Sequence, residues 1–84
     1  MLSSALVFAQ TRTLRGTVRD AQGAPVPFAT VSEAGTKNAV QADANGNYSI
    51  NVGANASITF SATGYSAITR TEGGIVTLAR NEAQ

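Results

Sequence analysis

Apolar residues recur at every second position along most of this chain, and no stretch carries them at the three-to-four-residue spacing of a helix. Thr13 to Arg19 alternates cleanly. Leu14, Gly16 and Val18 share one face, and Thr13, Arg15, Thr17 and Arg19 share the other. That pattern predicts a strand with one dry and one wet face. Six further runs follow. A second strand is expected from about Phe28, with Ala29 and Val31 inward and Thr30 and Ser32 outward. A short third covers Val40–Gln41–Ala42, and a fourth turns Tyr48, Ile50 and Val52 inward. Ala56 to Ala62 carries Ile58 and Phe60 on its inner face. A sixth run follows Tyr65 and holds Ile68. Ile75 to Ala79 closes the set with Val76 and Leu78 inward. Seven short strands at spacings of about 8–12 residues predict an all-β sandwich. No repeat or linker divides it, so the expected unit is one domain over residues 11–80.

The runs are separated by residues suited to tight turns. Asp20-Ala21-Gln22-Gly23 and Asp43-Ala44-Asn45-Gly46 each begin with a side chain that can accept from backbone N–H groups. Each ends in a glycine able to take a positive φ. Pro25 and Pro27 cannot donate to a ladder and delay the second strand. Gly35-Thr36-Lys37-Asn38 reads as a loop. Gly53-Ala54-Asn55, Thr63-Gly64-Tyr65 and Gly73-Gly74 break the later runs.

Composition narrows the chemistry. The chain has 84 residues, enough for one small domain whose stability is on the order of 5 kcal/mol. Cysteine, histidine and tryptophan are all absent. Thiolate nucleophiles, imidazole bases, disulfides and ordinary zinc sites are therefore excluded. Six basic and five acidic residues leave a net charge of +1, too small and too scattered for a nucleic-acid footprint. Charged residues make up 13% of the chain, and Ser, Thr, Asn and Gln carry the solubility instead. That balance suits an exported β domain.

Met1 to Ala9 is apolar or small, uncharged and free of turn residues. Val7-Phe8-Ala9 ahead of Gln10 fits a signal-peptidase site, which makes residues 1–9 the expected tail of a signal peptide. A disordered leader and an extra strand are the other readings. Residues 81–84 form a polar tail.

Two constellations suggest chemistry and are better read as structure. Asp43, Asn45 and Asn47 alternate as calcium ligands do, but Gly46 stands fourth and the twelfth position from Asp43 is Ala54. The pattern reads as a hairpin turn capped by Asp43. Ser and Thr are abundant but lack a histidine base, and Lys37, the sole lysine, has no spacing that would make it one. No catalytic, cofactor-binding or metal-ligating residue is therefore assigned. Asn47-Tyr48-Ser49 and Asn55-Ala56-Ser57 match the N-glycosylation sequon, although Tyr48 is expected in the core.

The motifs have a recognisable order. They are Gly16, Val18 and Asp20, then Gly23, Pro25, Pro27, Ala29 and Val31, then Asp43, Gly46 and Tyr48, then Phe60, Gly64 and Tyr65, then Val76 and Leu78. This series resembles carboxypeptidase-regulatory-like domains, seven-stranded antiparallel or mixed Greek-key sandwiches of transthyretin-like topology. It is most similar to the N-terminal extension of SusC/RagA-type TonB-dependent outer-membrane transporters. Phe28 departs from that pattern, where a small residue is usual, and Ala34 to Gln41 has one glycine where two are usual.

The resemblance implies a non-catalytic domain on the periplasmic face of the outer membrane, a spacer, docking or assembly module of a glycan or peptide transporter. It implies the plug and barrel of the parent protein as partners, with a periplasmic or inner-membrane protein, no nucleic acid, and a monomeric isolated domain. The structural residues it marks are Gly16, Asp20, Gly23, Asp43, Gly46, Tyr48, Phe60, Gly64 and Tyr65. In this family the Gly-Tyr pair ends one strand and packs its ring on the sandwich. The Lys–Asn amide of related adhesin domains needs a buried lysine on the first strand, and Lys37 lies in a loop. An adhesin or metallocarboxypeptidase module is an alternative of the same fold. A small-ligand carrier is another, and it would need a groove lined by several of Phe8, Phe28, Tyr48, Phe60 and Tyr65.

Overall fold

The alternating runs form seven strands in the computed structural model, which describes residues 11–80. They are β1 (Thr11–Arg19), β2 (Thr30–Glu33), β3 (Ala39–Gln41), β4 (Asn47–Gly53), β5 (Ile58–Ser61), β6 (Ile68–Arg70) and β7 (Gly74–Thr77). The expected signal tail over residues 1–9 and the polar tail over 81–84 lie outside the described residues. Among the described residues there is no helix.

Two sheets face each other. One has the order β4-β1-β7 and the other β3-β2-β5-β6. The chain crosses between them after β1, β3, β4 and β6, and only β2–β3 and β5–β6 are hairpins of neighbours in sequence. This is the transthyretin-like Greek-key order. β1 runs antiparallel to β4 over seven residue pairs, from Thr11↔Gly53 to Thr17↔Asn47. It runs parallel to β7 over Gly16↔Gly74 to Arg19↔Thr77. The first sheet is therefore mixed, and the second is antiparallel throughout.

The inward positions make one core. Leu14, Val18, Tyr48, Ile50, Val52, Val76 and Leu78 from the first layer meet Ala29, Val31, Ala42, Ile58 and Phe60 from the second, with Val26 between. Each of these large side chains contributes about 1.5–3 kcal/mol by leaving water. Tyr48 and Phe60 join the sheets edge to face, their ring centres 5.2 Å apart at 66°.

The strand ends differ from the sequence expectation where backbone geometry outweighs side-chain pattern. The second strand begins at Thr30, because Phe28 has a φ of 60° and cannot join a ladder. Phe28 is also 57% exposed. The fifth strand begins at Ile58, because Ala54–Asn55 turns and the Ala56 N–H donates back to the Gly53 carbonyl. The sixth begins at Ile68, because the Tyr65 N–H closes a turn onto the Ala62 carbonyl. The third strand is shifted by one residue, to Ala39–Gln41.

Candidate functional site

The two Asp-x-x-Gly segments fold into turns of one design, side by side at the end of the sandwich where β1 finishes. In the first, the Asp20 side chain accepts through Oδ1 from the N–H groups of Gln22 and Ala24, each at 2.9 Å. The Asp20 carbonyl accepts from Gly23, and its own N–H donates to the Ala24 carbonyl. In the second, Asp43 Oδ1 accepts from Asn45 at 2.8 Å and Asn47 at 2.9 Å. Its carbonyl accepts from Gly46, and its N–H donates to the Asn47 carbonyl. Gly23 has a φ of 84° and Gly46 one of 80°. A carboxylate that accepts two N–H groups satisfies the donors a tight turn would otherwise leave free.

The two turns touch. The Val18 N–H donates to the Gly46 carbonyl, and the Val26 N–H donates to the Val18 carbonyl. A Cβ on Gly46 would stand 2.6 Å from the Val18 carbonyl oxygen and 3.2 Å from Pro25 Cβ. Gly46 is therefore fixed by its neighbours as well as by its own φ. Asp20 is buried, whereas Asp43 is exposed.

The opposite end, where β1 begins, carries a clasp that sequence reasoning missed. The Glu33 carboxylate, at the end of β2, accepts from Asn38 Nδ2 at 3.0 Å through Oε1 and from the Gly53 N–H at 3.2 Å through Oε2. Asn38 Nδ2 also donates to the Asn51 carbonyl at 2.6 Å. Glu33 and Asn38 thus cover the outer edge of β4 and tie the β2–β3 hairpin to the other sheet. The Asn38 amide first, and then the Gly53 N–H, hold the Glu33 carboxyl below its usual range. The available signal was weak: a carboxylate and an amide flanking a Gly-containing hairpin. Arg12 donates from Nη2 to the Thr71 carbonyl at 2.7 Å on the same end.

The remaining marked residues are spread through the core and surface. The Tyr48 hydroxyl donates to the Gly74 carbonyl at 2.9 Å, and burial pushes its phenol above the usual range. Gly16 is the residue opposite both Tyr48 and Gly74. Phe60 is fully buried. Gly64, with a φ of 87°, turns the chain into Tyr65. The Tyr65 ring is half-buried against the core, and the Arg80 guanidinium lies 5.7 Å from its centre.

None of this converges on a reaction centre. Asp43 Oδ1 is occupied by backbone donors, and Asn47 Oδ1 accepts from Thr17 Oγ1 at 2.9 Å. Among the described residues no three His, Cys, Asp or Glu side chains gather to hold a metal, and no pocket opens. The described aromatics do not share a groove, since Tyr48 and Phe60 fill the core while Phe28 faces solvent. Of the sequon asparagines, Asn55 is exposed on a turn, and Asn47 precedes the buried Tyr48.

Fold and turns together define a small β-sandwich module whose conspicuous polar residues hold backbone in place. The model of the carboxypeptidase regulatory-like domain family matches residues 13–83, and the chain belongs to that family. Members of the family are typically non-catalytic. None of the curated proteins compared with the chain matches it.

Proposed function

We propose that this sandwich is the non-catalytic periplasmic extension at the N-terminus of a SusC/RagA-type TonB-dependent outer-membrane transporter. It precedes the plug and barrel and acts as a spacer, docking or assembly module in nutrient uptake. Family membership supports a module of a larger protein. The motif order from Gly16 to Leu78 supports the transporter extension among such modules.

The observation that carries the spacer role is the placement of Thr11 and Arg80, the two ends of the described sandwich. Thr11 lies opposite Gly53 at one end of the first sheet, and Arg80 pairs with Tyr65 beyond the other. β1 alone spans about 30 Å at the rise of an extended strand. A chain that comes in at one end and leaves at the other separates whatever flanks it by the length of the domain.

Deletion of residues 11–80 from the full-length parent tests the reading. The expected result is extracellular substrate binding that persists while uptake or barrel assembly falls. Wild-type transporter levels with wild-type uptake would overturn it. A gene that continues into an adhesin array or a peptidase, with no TonB box and plug, would also overturn it.

A further inference from the structure

We propose that the sandwich resists tension applied between its two chain ends, because its terminal strands are paired in the one geometry that loads them in shear. The proposal rests on the in-line reading above. Among the described residues β1 and β7 are the first and last strands, they are direct neighbours, and they run parallel over Gly16↔Gly74, Thr17↔Ile75, Val18↔Val76 and Arg19↔Thr77. Pulling on Thr11 drags β1 backward along its axis, and pulling on Arg80 drags β7 forward. The two strands are forced past each other lengthwise. Ladder hydrogen bonds lie across the strands, so under this load they must give way together. An antiparallel pair pulled apart from one end opens one bond at a time instead.

Contacts around the pair lie in the same path. The Leu78 N–H donates to the Arg19 carbonyl at 2.8 Å, extending the pairing beyond β7. The Tyr48 hydroxyl reaches from β4 across β1 to the Gly74 carbonyl. β1 is held on its other side by seven residue pairs with β4, so it cannot slide out alone. The departing chain is tied to the second sheet as well. The Ser66 N–H donates to the Ala79 carbonyl, and Arg80 pairs with Tyr65 and lies over its ring. Val18, Val76 and Leu78 keep water from the strained bonds, since each is almost wholly buried.

The chain has no cysteine, so paired substitutions give unambiguous handles for single-molecule pulling. Thr11→Cys with Gln84→Cys pulls on the start of β1 and on the segment that follows β7. Thr11→Cys with Asn55→Cys places both handles at one end of the antiparallel β1–β4 pair, where the load peels. Thr11 and Asn55 are both exposed, so neither substitution disturbs the core. At one pulling speed the end-to-end variant is expected to unfold at about twice the force of the peeling variant, or more. Equal forces, or a lower force end to end, would overturn the proposal. A high ratio in a chain whose gene continues into an adhesin would refute the transporter reading and leave this one standing.

Discussion

A side-chain carbon on Gly16 would overlap the carbonyl oxygen of Gly74 on the neighbouring strand. That oxygen accepts from the Tyr48 hydroxyl, so three strands meet in one row: Tyr48 on β4, Gly16 on β1 and Gly74 on β7. Glycine at position 16 lets the phenol cross β1 and reach β7. Gly16→Ala is expected to lower stability by about 3 kcal/mol, because the obstruction is backbone and has no rotamer to escape to. Tyr48→Phe keeps the ring and is expected to cost about 1 kcal/mol, the worth of one net hydrogen bond. Urea unfolding checks both, and equal losses would mean that the hydroxyl, not the strand spacing, dominates this row.

The two turn glycines separate conformational strain from packing. Gly23 and Gly46 have nearly the same positive φ, but a Cβ meets nothing within 4 Å at Gly23 and meets Val18 and Pro25 at Gly46. Gly23→Ala should cost about 1–2 kcal/mol, the left-handed penalty alone. Gly46→Ala should cost at least about 1 kcal/mol more, since overpacking adds to the same penalty. Equal urea midpoints for the two variants would show that the Asp20 and Asp43 turns are not packed against each other.

Phe28 is the non-glycine residue with positive φ among those described, and its ring is mostly in water. Phe28→Gly removes a strain of about 1–2 kcal/mol and adds about half that in unfolded-chain entropy. The expected outcome is a domain more stable by about 0.5–1 kcal/mol, seen as a higher urea midpoint. A loss of stability would mean that the Phe28 ring contributes packing its exposure does not suggest.

Glu33 makes the fold sensitive to acid. Its folded pKa lies below the ordinary 4.5, so the folded state favours the carboxylate. Its contribution is present in full above the ordinary value and is lost as pH falls through that value and then through the lower folded one. Urea midpoints between about pH 6 and pH 3 should fall more steeply for the native chain than for Glu33→Gln. Parallel profiles would place the acid sensitivity elsewhere.

The alternation of Leu14 and Val18, of Tyr48, Ile50 and Val52, and of Ile58 and Phe60 was enough to determine strands, their inner faces and a sandwich. A period of two has that power because it places every second side chain on one side of the backbone. The Asp-x-x-Gly turns were equally legible, since an acceptor followed by a residue free to take positive φ is a local device. Strand ends were less so. The Phe28 side chain suits a strand, and only the path of the chain between Val26 and Ala29 imposes the φ that forbids one. The Tyr48–Gly74 bond was not legible, and the Glu33–Asn38–Asn51–Gly53 clasp showed only as a carboxylate and an amide flanking a Gly-containing hairpin. Their long-range bonds, Asn38 to Asn51, Glu33 to Gly53 and Tyr48 to Gly74, join residues 13 to 26 positions apart, and no local pattern records which edge will face which carboxylate. The parallel pairing of β1 with β7 also belongs to tertiary structure alone. Strand identity is set by neighbours in sequence, but strand order is set by how two twisted layers close on a common core.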